Sequence, residues 1–314
     1  MPVDETPITK AKRKSARKCN ELGGKRWLQN SISVWSDIRK SRDELQLKHP
    51  ALFPLMLVDR LIETFMPPEG ERILDPFAGV GSTLIGAVQA GKVGVGFELS
   101  PEFTAKARQR LAEARTSPAG LSDAVTGETK SQGKHELHQA SSAQLLKHVA
   151  TESIDLCLTS PPYWNILNQK RTADAKDVRH YGNLPDDLGT IADYPAFLSA
   201  LTLIFRDVLV TLKPGAYCCI VLMDLRKKNH FYPFHSDLAA RLVEVGYAWD
   251  DLIIWNRQSE YNNLRPLGYP AVFRVNKVHE YVLLMQKPKV AKSQKRAQKV
   301  ASGKKPRINA NGPE

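Results

Sequence analysis

Apolar positions along the chain follow two rhythms. Short runs of continuous or alternating apolar residues begin at Arg72-Ile73, Val93, Glu136, Ile154, Ala216, Tyr247 and Lys277, and each predicts a strand. Between them apolar residues recur three and four positions apart. Leu55, Val58, Leu61, Ile62 and Phe65 fall on one helical face, and further helices are expected over Ser82–Ala90, Pro101–Ala114, Ser141–Ala150, from Tyr194 onward, and over Ser236–Val245. Alternating strands and helices predict an α/β fold: a Rossmann-like, seven-stranded, mostly parallel sheet with helices on both faces. The last two strands are joined by a loop instead of a helix, which predicts an antiparallel strand at the sheet edge.

Charge divides the chain differently. The net charge is +12, but residues 1–30 carry +5 and residues 287–314 carry +8, which leaves −1 for everything between. Residues 1–26 therefore read as a flexible basic arm, 27–287 as the folded domain, and 288–314 as a basic disordered tail. Such tails add sequence-independent attraction to phosphate. Two polar, irregular stretches, 165–193 and 257–276, interrupt the domain where compact folds usually keep binding loops. No apolar run approaches a membrane span, and the four cysteines lack ligand spacing. Neither a metal site nor a membrane partner is expected, and the scattered thiols point to a reducing cytoplasm.

Two strand ends carry the candidate chemistry. The first strand runs into Asp75-Pro76-Phe77-Ala78-Gly79-Val80-Gly81-Ser82-Thr83, an acid followed by a glycine turn and a helix start. Glycines permit close approach of a ligand, and a helix start offers unpaired N–H groups. The spacing matches neither GxGxxG nor a P-loop. The next strand ends in Glu98, placed to accept hydrogen bonds from ribose hydroxyls. Together they predict a nucleoside-cofactor site. The strand Ile154–Thr159 ends in Ser160-Pro161-Pro162-Tyr163-Trp164. Two prolines fix φ twice and leave carbonyls that no ladder uses, next to two aromatic rings. Rigid acceptors beside a stacking surface suit a nucleobase held by its exocyclic amine.

With Asp75-to-Thr83, the Gly-Phe-Glu of the second strand, the Ser160–Trp164 turn and the Lys213-Pro214-Gly215 turn, the chain resembles the amino-methyltransferase class of S-adenosylmethionine-dependent DNA methyltransferases. The resemblance covers roughly Ser31 to Lys287. The glycine motif precedes the SPPY motif, which looks like a circular permutation of the order in many relatives. The resemblance implies S-adenosyl-L-methionine as cofactor, held by Asp75, Phe77, Gly79, Gly81, Glu98, Leu99, His49, Pro50 and Ser141. The last stands where relatives commonly carry an acid. Ser160, Pro161, Pro162 and Tyr163 match the catalytic tetrapeptide. Trp164, Lys170, Arg171, Arg179, Arg257 and Arg265 are expected to meet base or phosphate. The implied partners are double-stranded DNA and a cognate restriction endonuclease, in a bacterial, archaeal or phage-encoded setting.

In this family a leading serine leans toward cytosine N4 and a leading aspartate toward adenine N6. The expectation is therefore a site-specific cytosine-N4 DNA methyltransferase, with adenine N6 the alternative and an RNA base methyltransferase the nearest rival. A neutral hydroxyl can both accept and donate, so chemistry alone leaves adenine open. No cysteine follows a proline, which argues against carbon-5 chemistry.

Overall fold

A computed structural model of the chain describes residues 18–46, 52, 54–116, 133–165, 184, 186–261, 264 and 266–289. In chain order the strands are β1 (Val34–Trp35), β2 (Arg72–Asp75), β3 (Val93–Glu98), β4 (Lys134–Gln139), β5 (Ile154–Thr159), β6 (Leu212–Leu222), β7 (Leu225–Lys227), β8 (His230–Tyr232), β9 (Ala248–Asn256) and β10 (His279–Gln286). The helices are α1 (Gly24–Asn30), α2 (Arg42–Gln46), α3 (Leu55–Phe65), α4 (Ser82–Gln89), α5 (Pro101–Thr116), α6 (Tyr194–Thr211) and α7 (Phe234–Glu244). The stretch expected as a helix after β4 forms a 3-10 helix, Ser142–Lys147.

The main sheet runs β1-β9-β10-β6-β5-β2-β3-β4, and β7 and β8 form a separate hairpin. It has eight strands where the sequence predicts seven. The additional one is β1, which adds to β9 through Val34 opposite Ile254 and Trp35 opposite Trp255. The antiparallel strand is β10, but it is not at the edge: it lies between β6 and β9 and pairs with both. Burial explains the placement. The run Val282–Met285 is at most 4% exposed, whereas Ala248–Asp251 at the start of β9 is open to solvent. A strand apolar on both faces belongs inside a sheet.

Every residue of β5 is buried. On one face of the sheet Leu74, Cys157, Cys218, Ile220 and Leu283 pack against α6 and α7. On the other, Ile73, Leu156, Leu158, Cys219 and Val221 pack beneath α3. Neighbouring residues of one strand thus enter opposite layers, the period-two signature of a sheet covered on both sides. Helix α6 is long and apolar enough to cross a membrane, with mean hydropathy 1.3, contrary to expectation. Its Phe197, Leu201, Phe205 and Val208 are fully buried in the sheet's core.

The arm boundary also moves. Asn20 is buried and donates to the Thr64 carbonyl at 2.9 Å, Arg26 pairs with Glu63 at 2.9 Å, and α1 starts at Gly24, so two residues of the expected arm contact α3. Arg60 of α3 is 1% exposed and makes a two-pronged ion pair with Asp37 at 2.8 and 2.6 Å beneath the Trp35 ring. That guanidinium holds the Asp37 carboxyl down at about 2.

Candidate active site

β2, β3 and β5 are parallel neighbours, so their carboxyl ends lie along one rim. At the end of β2 the chain turns through Gly79 (φ 53°) and Gly81 (φ 84°) into α4. The Gly79 N–H donates to Glu98 Oε2 at 2.8 Å, and the Ser100 N–H donates to Glu98 Oε1 at 2.7 Å. Each carboxylate oxygen takes one backbone donor and keeps lone-pair capacity for another. That is the acceptor set a ribose diol requires, so the residues present fit a nucleoside cofactor. Burial pushes the Glu98 carboxyl up to about 7 against the pull of the Ser100 and Gly79 N–H groups. Arg110 of α5 donates to the Val80 carbonyl at 2.6 Å and ties the turn down from below.

Gly81 tests this corner. A Cβ there would stand 3.1 Å from the Ala107 Cβ, on a left-handed backbone. Gly81→Ala is expected to destabilise the fold by about 1–2 kcal/mol, read as a lower midpoint in thermal unfolding.

Asp75 occupies a different place from the one expected. It is 1% exposed, and Oδ1 accepts from the Thr159 hydroxyl at 2.6 Å and from the Phe77 N–H at 3.0 Å. Its carboxylate is committed beneath the turn, where it joins the glycine corner to the residue before Ser160. Burial pushes it up to about 6 against these hydrogen bonds. Asp75 and Glu98 both keep a proton in the folded chain at pH values where the unfolded chain has lost it. Their contribution to stability is therefore greatest in acid and is lost as pH rises, from 3.8 to about 6 for Asp75 and from 4.5 to about 7 for Glu98.

Ser141 caps the 3-10 helix by accepting from the Ala143 N–H at 3.3 Å, and Ser142 donates to the Pro76 carbonyl. Both serines are buried, and the residues Gln139 to Ala143 at this strand end include no acid. Phe77 and Leu99 are half-buried beside the turn.

Beyond β5, Ser160, Pro162 and Tyr163 are half-buried and Pro161 is buried. Trp164, expected to meet the base, is 4% exposed with φ 51°. Its indole N–H donates to the Ile191 carbonyl at 2.8 Å, and its ring packs edge-on against Tyr194 and Tyr232. It serves as a core anchor for the turn. Arg257, expected to meet phosphate, is also committed inward, to Glu280 and Glu260, with its guanidinium 4.7 Å from the Trp255 ring centroid. Burial lowers the basicity of that guanidinium, but the acids beside it more than compensate and raise it.

His49, Pro50, Lys170, Arg171, Arg179 and Arg265 lie outside the described residues. The hairpin β7–β8 stands beside the Ser160–Trp164 turn, where Lys227 Nζ donates to Asn165 Oδ1 at 3.2 Å and lies 4.1 Å from the centroid of the Trp164 ring. A groove of about 840 Å³ runs along it, lined by Trp164, Tyr194, Lys227, His230 and Tyr232. Three residues went unmarked in the sequence: Thr159, Arg110 and Glu280. Only Glu280 carried a signal, as a charge directly before the apolar run Tyr281–Met285 of β10. Among the described residues no group of acids, histidines and cysteines is placed to hold a metal.

The glycine turn after β2 and the double-proline turn after β5 thus stand at the carboxyl ends of two paired parallel strands of an α/β sheet. The family model described as DNA methylase matches residues 3–109 and 154–313. The chain belongs to this DNA methylase family. Among curated relatives, the Type II methyltransferase M.ScaI of Streptomyces caespitosus is 36% identical over 112 residues, 33% of this chain and 34% of that protein. The Type II methyltransferase M.MthZI of Methanothermobacter thermautotrophicus is 34% identical over 84 residues, 26% of this chain and 23% of that protein. The matches thus span about a third or less of those relatives' lengths. The crystal structure of TTHA0409 from Thermus thermophilus, complexed with S-adenosyl-L-methionine, is 25% identical, with a TM-score of 0.33, covering 49% of this chain and 56% of that one.

Proposed function

We propose that the protein is a DNA methyltransferase that places a methyl group on the exocyclic N4 of cytosine in duplex DNA. The observation that carries the reading is the 2.6 Å hydrogen bond from Thr159 to Asp75, which fixes the glycine corner and the Ser160 corner side by side on one rim. The leading Ser160, in place of an aspartate, favours cytosine over adenine.

S-adenosyl-L-methionine, when bound, supplies a methyl group already activated for displacement. Gly79, Gly81 and the start of α4 would hold its methionine end, and Glu98 its ribose. The chemical difficulty lies in the substrate, an amine whose lone pair is spread into the base ring. The target base leaves the stack, at a cost of a few kcal/mol, and enters the Ser160–Tyr163 corner. Tyr163 stacks on its face. Ser160 Oγ and the Pro161 carbonyl accept from the amine hydrogens, draw the nitrogen toward tetrahedral geometry and orient its lone pair. Positioning and electrostatics account for most of the acceleration.

The hairpin β7–β8 supplies phosphate contacts at the rim, with Arg226, Lys228 and His230 exposed beside the groove. Lys170, Arg171, Arg179 and Arg265 would add to them, and a cognate endonuclease is the natural companion of such an activity. Because the Glu98 carboxyl sits up at about 7, cofactor affinity is expected to weaken as pH falls below that value. Calorimetric titration of S-adenosyl-L-methionine from well below that value to well above it checks this, and Glu98→Gln should flatten the profile.

Expression with a plasmid, followed by nucleoside mass spectrometry and modification-aware sequencing, tests the assignment. N4-methylcytosine at a fixed sequence is the expected result. N6-methyladenine would overturn the choice of base. Unmodified plasmid with methylated RNA would overturn DNA as substrate.

A further inference from the structure

Five side chains along the rim form a line that neither motif explains. Ser160 Oγ donates to the Tyr163 hydroxyl oxygen at 3.3 Å, and that hydroxyl donates to Glu280 Oε2 at 2.8 Å. The other oxygen of Glu280 takes Nη1 of Arg257, whose Nη2 donates to Glu260 at 2.7 Å. Glu280 is only 6% exposed, and it reaches this position because β10 threads antiparallel between β6 and β9, which brings its first residues to the carboxyl rim.

The line has a direction. An ionised carboxylate accepts and cannot donate, whereas a hydroxyl has a single hydrogen to give. Arg257 pairs directly with the other oxygen of Glu280, which leaves Oε2 to accept from Tyr163. Burial, and then the charge of Glu280, hold the Tyr163 phenol proton well above its ordinary range. Tyr163 therefore gives its one hydrogen to Glu280, and its oxygen is left to accept from Ser160. Ser160 has then given its own hydrogen, and what remains at Oγ is lone-pair density. A free serine hydroxyl in front of an amine could instead donate to the amine nitrogen and occupy the lone pair the reaction needs.

We propose that Glu280, held by Arg257, is a positioning residue that acts through Tyr163 to make Ser160 an obligate acceptor for the target amine. The proposal rests on the methyl-transfer reading of this site and adds the residue that polarises it. A leading aspartate needs no such device, because a carboxylate has no hydrogen to misplace. A leading serine does.

The test is a mutant cycle on the full chain, using single-turnover transfer of labelled methyl from S-adenosyl-L-methionine to unmethylated plasmid DNA. In Glu280→Gln the amide oxygen is drawn to Arg257 and the amide NH2 turns to Tyr163, which reverses both hydrogen bonds. The rate is expected to fall by about tenfold or more, with cofactor affinity unchanged within about twofold. In a Tyr163→Phe background the line is already cut, so the same substitution should change the rate by less than about twofold. Equal losses in both backgrounds, or no loss in either, would overturn the proposal. If Glu280→Gln fails to fold by circular dichroism, Arg257→Gln enters the same cycle with the same two outcomes. The unmutated chain is measured first, and its failure to methylate the plasmid would count against methyl transfer to DNA and not against the role of Glu280.

Discussion

Replacing Ser160 with alanine lowers the single-turnover rate of methyl transfer by about 10²–10³-fold, the usual loss when one pre-placed polar group facing developing charge is removed. Cofactor affinity stays within about twofold, because Ser160 belongs to the proline corner and neither Glu98 hydrogen bond at the glycine corner passes through it. Stability changes little, since Ser160 is half-buried and its hydrogen bond to Tyr163 is long at 3.3 Å. A quench-flow measurement with labelled cofactor reads the rate, and calorimetry reads the affinity. A loss of affinity equal to the loss of rate would show that the two corners are not separable in function.

Glu98→Ala is expected to weaken cofactor binding by about 10²-fold or more. Hydrogen bonds to a charged group contribute about 1.5–3 kcal/mol each, and a ribose diol offers two. The substitution also releases the Gly79 and Ser100 N–H groups from the carboxylate that spans them, so the glycine turn keeps only backbone ties to β3 such as the Ala78 N–H to the Phe97 carbonyl at 2.8 Å. Glu98→Gln separates the effects. It retains one acceptor and most of the volume, so its loss of affinity should be smaller and nearly independent of pH. If both variants bind S-adenosyl-L-methionine like the unmutated chain, Glu98 is not the ribose acceptor.

Much of this site could be read before the structure, because its signals are local. A glycine turn after a strand, an acid ending the next strand, and a double proline ending a third each fix backbone geometry within a few residues. What could not be read depends on which strand lies beside which. Asp75 and Thr159 are 84 residues apart, and only the pairing of β2 with β5 brings them within 2.6 Å. The same holds for Tyr163 and Glu280, 117 residues apart. Arg257 read as a surface cation because its buried partner, Glu280, is brought to it by the antiparallel return of β10. Trp164 read as a base platform because nothing in its neighbours announces a positive φ. The sheet edge was misplaced for a related reason. A loop connection fixes the relative direction of two strands and leaves open which of them is outermost.

The threading of β10 has a consequence for biosynthesis. A ribosome makes β1, β6 and β9 before the strand that joins β9 to β6. Until His279–Gln286 has emerged and inserted, β1 and β9 are not joined to the rest of the sheet, and Tyr163 lacks its carboxylate partner. The cofactor corner, built from β2 and β3, is translated far earlier than the strand that completes the proline corner. Nascent chains that stop short of β10 therefore carry the first corner without a finished second one.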